Sequence, residues 1–166
     1  VEESRDPDAR WITKGKTSTY GYKAHTLVDS NGIVEEMTVT SANVHDTVMF
    51  EELIDKAPLS EGDTVYADKG YHSEKNKEVL KRRKLNDQIM HKRKRNEPEN
   101  AQNVERNKRI SKCRYVVERT FGSLKRSYGW SRTRYVGLSQ TTFYLQMRVL
   151  AFNIKRGMKL ISLNPV

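Results

Sequence analysis

A single cysteine, Cys113, stands among 166 residues, so no intramolecular disulfide and no cysteine-rich zinc site is possible. Lone cysteine use of this kind fits a reducing compartment. No apolar run approaches the roughly 18 residues that a membrane span requires. The opening "VEESRDPDAR" is acidic and polar, unlike a secretion signal, and it lacks an initiator Met, as a fragment would. No internal repeat is visible. These absences lead us to expect one globular domain, residues 1–166, soluble and either cytoplasmic or nuclear. Acidic side chains are also scarce in one region: residues 81–166 carry 5 against 22 basic ones, while residues 1–80 carry 16 acidic and 9 basic. A half with net charge +17 calls for a polyanion, and nucleic acid is the usual one, because phosphate contacts release counterions. An anionic membrane fits less well, since the cations do not line one helix with a wide apolar face.

What is present reads as alternating elements. "YGYKAHTLVD" (20–29) and "GIVEEMTVTSA" (32–42) are rich in strand formers and meet across an Asn-Gly turn signal, which predicts a hairpin. "HDTVMFEELIDKA" (45–57) predicts a helix capped by Asp46, "DTVYAD" (63–68) a short strand, and "EKNKEVLKRRK" (74–84) a helix capped by Ser73. A strand over 88–91 leads into a charged, proline-bearing loop. Helices over about 103–127 and 139–159 close the chain, the second with Phe143, Met147, Leu150 and Ile154 at i, i+4, i+7 and i+11. This order predicts an α/β sandwich with a mixed sheet.

Two places in that layout can carry chemistry. Asp68 ends a strand and is followed by Gly70 within "ADKGY" (67–71), at the sheet edge where α/β folds place ligands. Taken alone, such an aspartate is more often a turn or helix cap. In "RYVVERTFGSLKR" (114–126), Arg114, Glu118 and Lys125 share one narrow helix face beside the apolar stripe of Ile110, Val117, Phe121 and Leu124. Taken alone, that row is a solvated ladder of ion pairs.

In combination the motifs resemble those of insertion-sequence DDE transposases, in the group named after insertion sequence five. "ADKGY" and Arg114-x3-Glu118-x6-Lys125 are similar to that family's second and third signatures. "RDPDARWITKG", "YGYKAHTLVD" and "TSANVHD" resemble the stretches leading to its second aspartate. The resemblance implies an α/β, ribonuclease H-like mixed sheet flanked by helices, two divalent ions (Mg²⁺, with Mn²⁺ substituting), and DNA cleavage and strand transfer at transposon ends. Asp68 and Glu118 would be catalytic metal ligands; Arg114, Lys125, Arg126, Trp130, Arg132 and Arg134 would contact DNA. Transposon ends and target DNA would be the partners, with a homodimer assembling on them in a bacterial or archaeal nucleoid.

"KRSYGWSRTRY" (125–135) interleaves Trp130 and two tyrosines with four cations, which suits phosphate contact plus base stacking, although such a Trp more often packs under a loop. "KRRK" (81–84) and "HKRKR" (91–95) add further charge. Two departures stand out. Ser111 occupies the position where the third signature usually has tyrosine. The family's first aspartate lies on a strand upstream of "RDPD", so the domain is expected to lack its first strand, and Asp6, Asp8 and Asp29 are poor substitutes. A catalytically inactive DNA-binding derivative and a structure-specific nuclease on the same fold are the alternative functions.

Overall fold

The computed structural model describes residues 5–93, 96, 98 and 100–163. Its fold class is α/β. The chain divides into two compact units, one formed by Val1–Val44 with Arg119–Val166 and the other by His45–Glu118.

In the first unit, strands β1 (Arg10–Lys14), β2 (Thr17–Val28) and β3 (Val34–Ser41) form an antiparallel sheet in the order β1-β2-β3. The expected hairpin is β2 and β3. Its turn is closed by Asp29, whose carboxylate accepts the N–H groups of Asn31 (2.9 Å) and Ile33 (2.7 Å), with Gly32 at φ +84°. β1 is an extra strand. Its side chains are exposed at four of five positions, so it lacks the alternation by which strands are recognised.

Against this sheet packs α4 (Leu138–Leu163), and Val34, Leu124, Val149 and Phe152 form the buried cluster, flanked by Val28, Met37, Tyr128 and Trp130. The carboxamide of Asn153 donates to Val34 O (2.8 Å) and accepts from Val34 N (3.0 Å), so one side chain pairs both backbone groups of a strand residue. The amino end of α4 is capped from far away in sequence: Leu138 N–H donates to Asp8 (2.9 Å) and Gly137 N–H to Asp6 (3.2 Å). The face of α4 turned inward is Thr141, Leu145, Val149 and Phe152, whereas the stripe Phe143, Met147, Leu150 and Ile154 is exposed.

The second unit begins with a 3-10 turn, Asp46–Met49, and α1 (Phe50–Lys56). The cap is His45, whose ring accepts from Thr47 N, and Asp46 falls in the first turn. β4 (Thr64–Ala67) and β5 (Asn86–Ile89) then pair in parallel through α2 (Glu74–Arg82), a β-α-β unit. In place of one mixed sheet, the described strands form a three-stranded antiparallel sheet and a separate two-stranded parallel one. Ser73 caps α2 by accepting from Asn76 N (3.1 Å), as the sequence predicts. At the other end, Leu85 N–H returns to Leu80 O and Lys84 N–H to Lys81 O, a Schellman closure with Lys84 at φ 53°.

The long helix α3 (Ala101–Ser127) belongs to the second unit through Glu118 and to the first beyond it. Arg106 donates to Ile89 O (2.6 Å) and Asp87 O (3.0 Å), and Asn107 makes a reciprocal pair with the His91 backbone (2.8 and 3.0 Å). These bonds satisfy carbonyls at the carboxyl end of β5 and fasten the helix there.

Candidate active site at the carboxyl ends of the parallel strands

Parallel pairing brings the ends of β4 and β5 to one edge of their sheet, and the next residues after each strand are Asp68 and Met90. Val65 and Ala67 are buried, so β4 is anchored on one face, and the chain turns at once into the short 3-10 helix Lys69–Tyr71. Asp68 caps that turn: its Oδ1 accepts Gly70 N–H at 2.7 Å. The aspartate therefore does perform the ordinary capping task, but its second oxygen is engaged elsewhere.

Arg114 Nη2 lies 3.7 Å from Asp68 Oδ2, and Nη1 lies 3.7 Å from Met90 Sδ. The guanidinium thus spans the ends of both strands. Because Arg106 and Asn107 fix the start of α3 against β5, Arg114, about two turns further on, is carried to this edge. Glu118 follows one turn beyond and is exposed. Sequence reasoning placed Arg114 beside Glu118 or the DNA backbone; the ion pair it makes is with Asp68.

Two groups not expected from sequence border the same aspartate. A Cβ on Gly70 would stand 2.9 Å from Asp68 Oδ1 and 4.0 Å from Asp46 Oδ2, so a bare glycine leaves room for both carboxylates. The Tyr71 hydroxyl is pushed up to about 12, first by burial and then by the negative charges of Asp46 and Asp68, with Arg114 acting in the opposite direction. Phenol and carboxylates therefore share one electrostatic environment. The "HD" of "TSANVHD" is the sequence signal for Asp46; the helix cap expected of it is supplied by His45 instead.

Carboxylate oxygens are the hard donors that Mg²⁺ and Mn²⁺ prefer. Among the described residues, however, no three His, Cys, Asp or Glu side chains are grouped closely enough to hold an ion. The donors are of the right kind and short of the number. The alternative acids are committed elsewhere. Asp6 accepts from Tyr22 (2.6 Å) and from the N–H groups of Asp8, Ala9 and Gly137, Asp8 caps α4, and Asp29 closes the hairpin. Burial would raise the Asp6 carboxyl; the hydrogen bonds outweigh it and hold it below the usual range.

The remaining candidates lie in the first unit. Lys125, Arg126, Arg132 and Arg134 are exposed, with Arg126 Nε on Gly122 O (3.2 Å). Trp130 is half-buried beside the core cluster, its ring edge-on to Phe121 at 5.9 Å and its indole nitrogen enclosed without a partner. Lys94 and Arg95 of the second basic run lie outside the described residues.

No helix among the described residues is long and apolar enough to cross a membrane. No solved structure matches the chain. The chain is 39% identical over 159 residues to a transposase for insertion sequence element IS1106 from Neisseria meningitidis serogroup B, covering 96% of this chain and 54% of that protein. It spans about half the length of that curated relative. The family description "Transposase DDE domain" matches residues 1–154. Those residues include both motifs that meet at the Asp68 edge, and the chain belongs to the DDE transposase family.

Proposed function

We propose that this chain forms the part of a DNA transposase that carries the second and third acids of its active site, on a ribonuclease H-like framework. The observation that supports this most directly is the Arg114–Asp68 pair, which joins the "ADKGY" strand end to the arginine-glutamate-lysine helix. In this reading Asp68 and Glu118 hold divalent metal, Mg²⁺ or Mn²⁺, and two such ions supply activation of the attacking oxygen and stabilisation of the leaving one. Asp68 is oriented by Gly70 N–H, Arg114 restrains its outer oxygen, and Lys125 with Arg126, Arg132 and Arg134 neutralise phosphates. None of Asp6, Asp8 and Asp29 completes the triad, because each is committed to a cap or turn. Cleavage and joining of transposon ends, a nucleoid location and a DNA-bound dimer belong to the same proposal.

Calorimetric titration of Mn²⁺ into the 166-residue chain and into its Asp68→Asn/Glu118→Gln variant tests the assignment. Weak binding that disappears in the variant is expected, since two carboxylates supply fewer ligands than a full triad. Equal binding by both proteins would show that these acids form no metal site.

A further inference from the structure

We propose that the outward face of α4 is the surface through which this chain pairs with a second copy of itself. The helix has two apolar faces. The inner one, Thr141, Leu145, Val149 and Phe152, is buried. At 100° per residue, Phe143, Met147, Leu150, Ile154 and Ile161 lie on the opposite side. They are 61%, 43%, 52%, 57% and 70% exposed, values far from those of a helix stripe that has found its packing partner.

Their spacing alternates four, three and four residues and then continues seven further, the seam of a helix that packs along another helix. The position that would complete the seam between Ile154 and Ile161 is Gly157. A mid-helix glycine costs roughly 1 kcal/mol relative to alanine. Nothing within this fold requires it, for no atom stands within 4 Å of where its Cβ would be. In a paired seam it would mark a layer of close backbone approach.

Charge narrows the occupant. The cations of the helix, Arg148, Lys155, Arg156 and Lys159, all fall on the other half of the wheel, and the positions flanking the seam carry none. A nucleic acid finds no phosphate contact there, and an acidic protein finds no counter-charge. The matching surface is an apolar helix of the same seven-residue spacing, which a second copy supplies. Two copies of a chain with net charge +10 can also approach there without opposing like charges. Five side chains exposed by a little over half on average offer ~550 Å² per copy, so a pair would bury about 1,100 Å², near the lower limit for a specific interface.

Sedimentation equilibrium of the nuclease-treated chain gives the test, alongside Leu150→Lys/Ile154→Lys, the independent pair Phe143→Ser/Met147→Glu, and Val48→Lys. Val48 is an exposed valine (63%) outside the helix and serves as the control. Dimerisation near about 10 μM is expected for an interface of this size, weakened about tenfold or more by either seam pair and unchanged by the control. Thermal melts of the seam variants should lie close to the parent monomer, because the altered side chains are 43–61% exposed and stand on the side of the helix opposite its buried face; a variant that fails to fold is replaced by the other pair. A parent chain that remains monomeric at about 100 μM, or a dimer unmoved by the folded seam variants, overturns the proposal.

Discussion

The guanidinium of Arg114 stands 3.7 Å from the carboxylate of Asp68, although one arises from the middle of α3 and the other from the end of β4. A cation so placed steadies the carboxylate in the absence of metal and competes with any ion that approaches it. Arg114→Met is therefore expected to raise Mn²⁺ affinity of the isolated chain several-fold while changing stability by under about 1 kcal/mol, since the pair is partly solvated. Calorimetry and a thermal melt read the two quantities. Weaker metal binding in this variant would mean that Arg114 orients Asp68 for metal instead of opposing it.

Gly70→Ala brings a methyl group to 2.9 Å from Asp68 Oδ1, within contact distance, and the carboxylate must turn away. Because the atom that moves is the end of a side chain, the fold should survive with a loss of about 1 kcal/mol or less. Metal binding should fall well below that of the parent. A variant with parental affinity would show that the orientation set by Gly70 N–H is irrelevant to the site.

The His72 ring packs edge-on to His91 at 5.0 Å, and its pKa is lowered by burial first, then by Lys77 and His91; Glu74 and Asp87 act in the opposite direction. A histidine depressed in the folded state takes its proton first in the unfolded chain, whose ordinary value is about 6.5. Its contribution is complete above that pH and is lost as pH falls towards the lower folded value. Urea unfolding at a series of pH values should show parental stability declining from about pH 6.5 downward, with a shallower decline in His72→Gln. Parallel curves would remove His72 as the cause.

Exposed cations in the 125–135 stretch predict salt-dependent, largely sequence-independent DNA binding. The slope of log K against log salt should be about −0.9 for each phosphate contact on duplex DNA, and Arg132→Ala/Arg134→Ala should flatten it. Trp130→Phe separates packing from stacking. Since the indole edge meets Phe121 beside the core, the variant should fold and bind DNA as the parent does. A large loss of affinity for single strands would instead assign the ring to base stacking.

Lys84 holds φ 53° at the end of α2, a conformation that costs a side-chain-bearing residue roughly 1 kcal/mol or more. Lys84→Gly should stabilise the chain by about 0.5–1 kcal/mol in urea unfolding, after allowance for glycine's greater freedom in the unfolded state and a surface pair with Glu61 at 2.8 Å. Destabilisation would show that the Lys84–Glu61 pair outweighs the backbone term.

Local signals determined much of this protein: the Ser73 cap, the Asp29–Gly32 turn, the two terminal helices and the chemistry-bearing stretches around Asp68 and Glu118 are written in neighbouring residues, and short-range hydrogen bonds enforce them. Tertiary structure decided what depends on partners distant in sequence. Asp8 caps α4 from the far end of the chain, Arg114 meets Asp68 in preference to a neighbour on its own helix, and Asp46 approaches the same turn. The two faces of α4 show the reason most plainly. Thr141, Leu145, Val149 and Phe152 form one periodic stripe and Phe143, Met147, Leu150 and Ile154 another, and periodicity alone ranks the second at least as high. Only the sheet, with Val34 seated against Asn153, selects the first, because a helix can bury just the face that a complementary surface is there to receive.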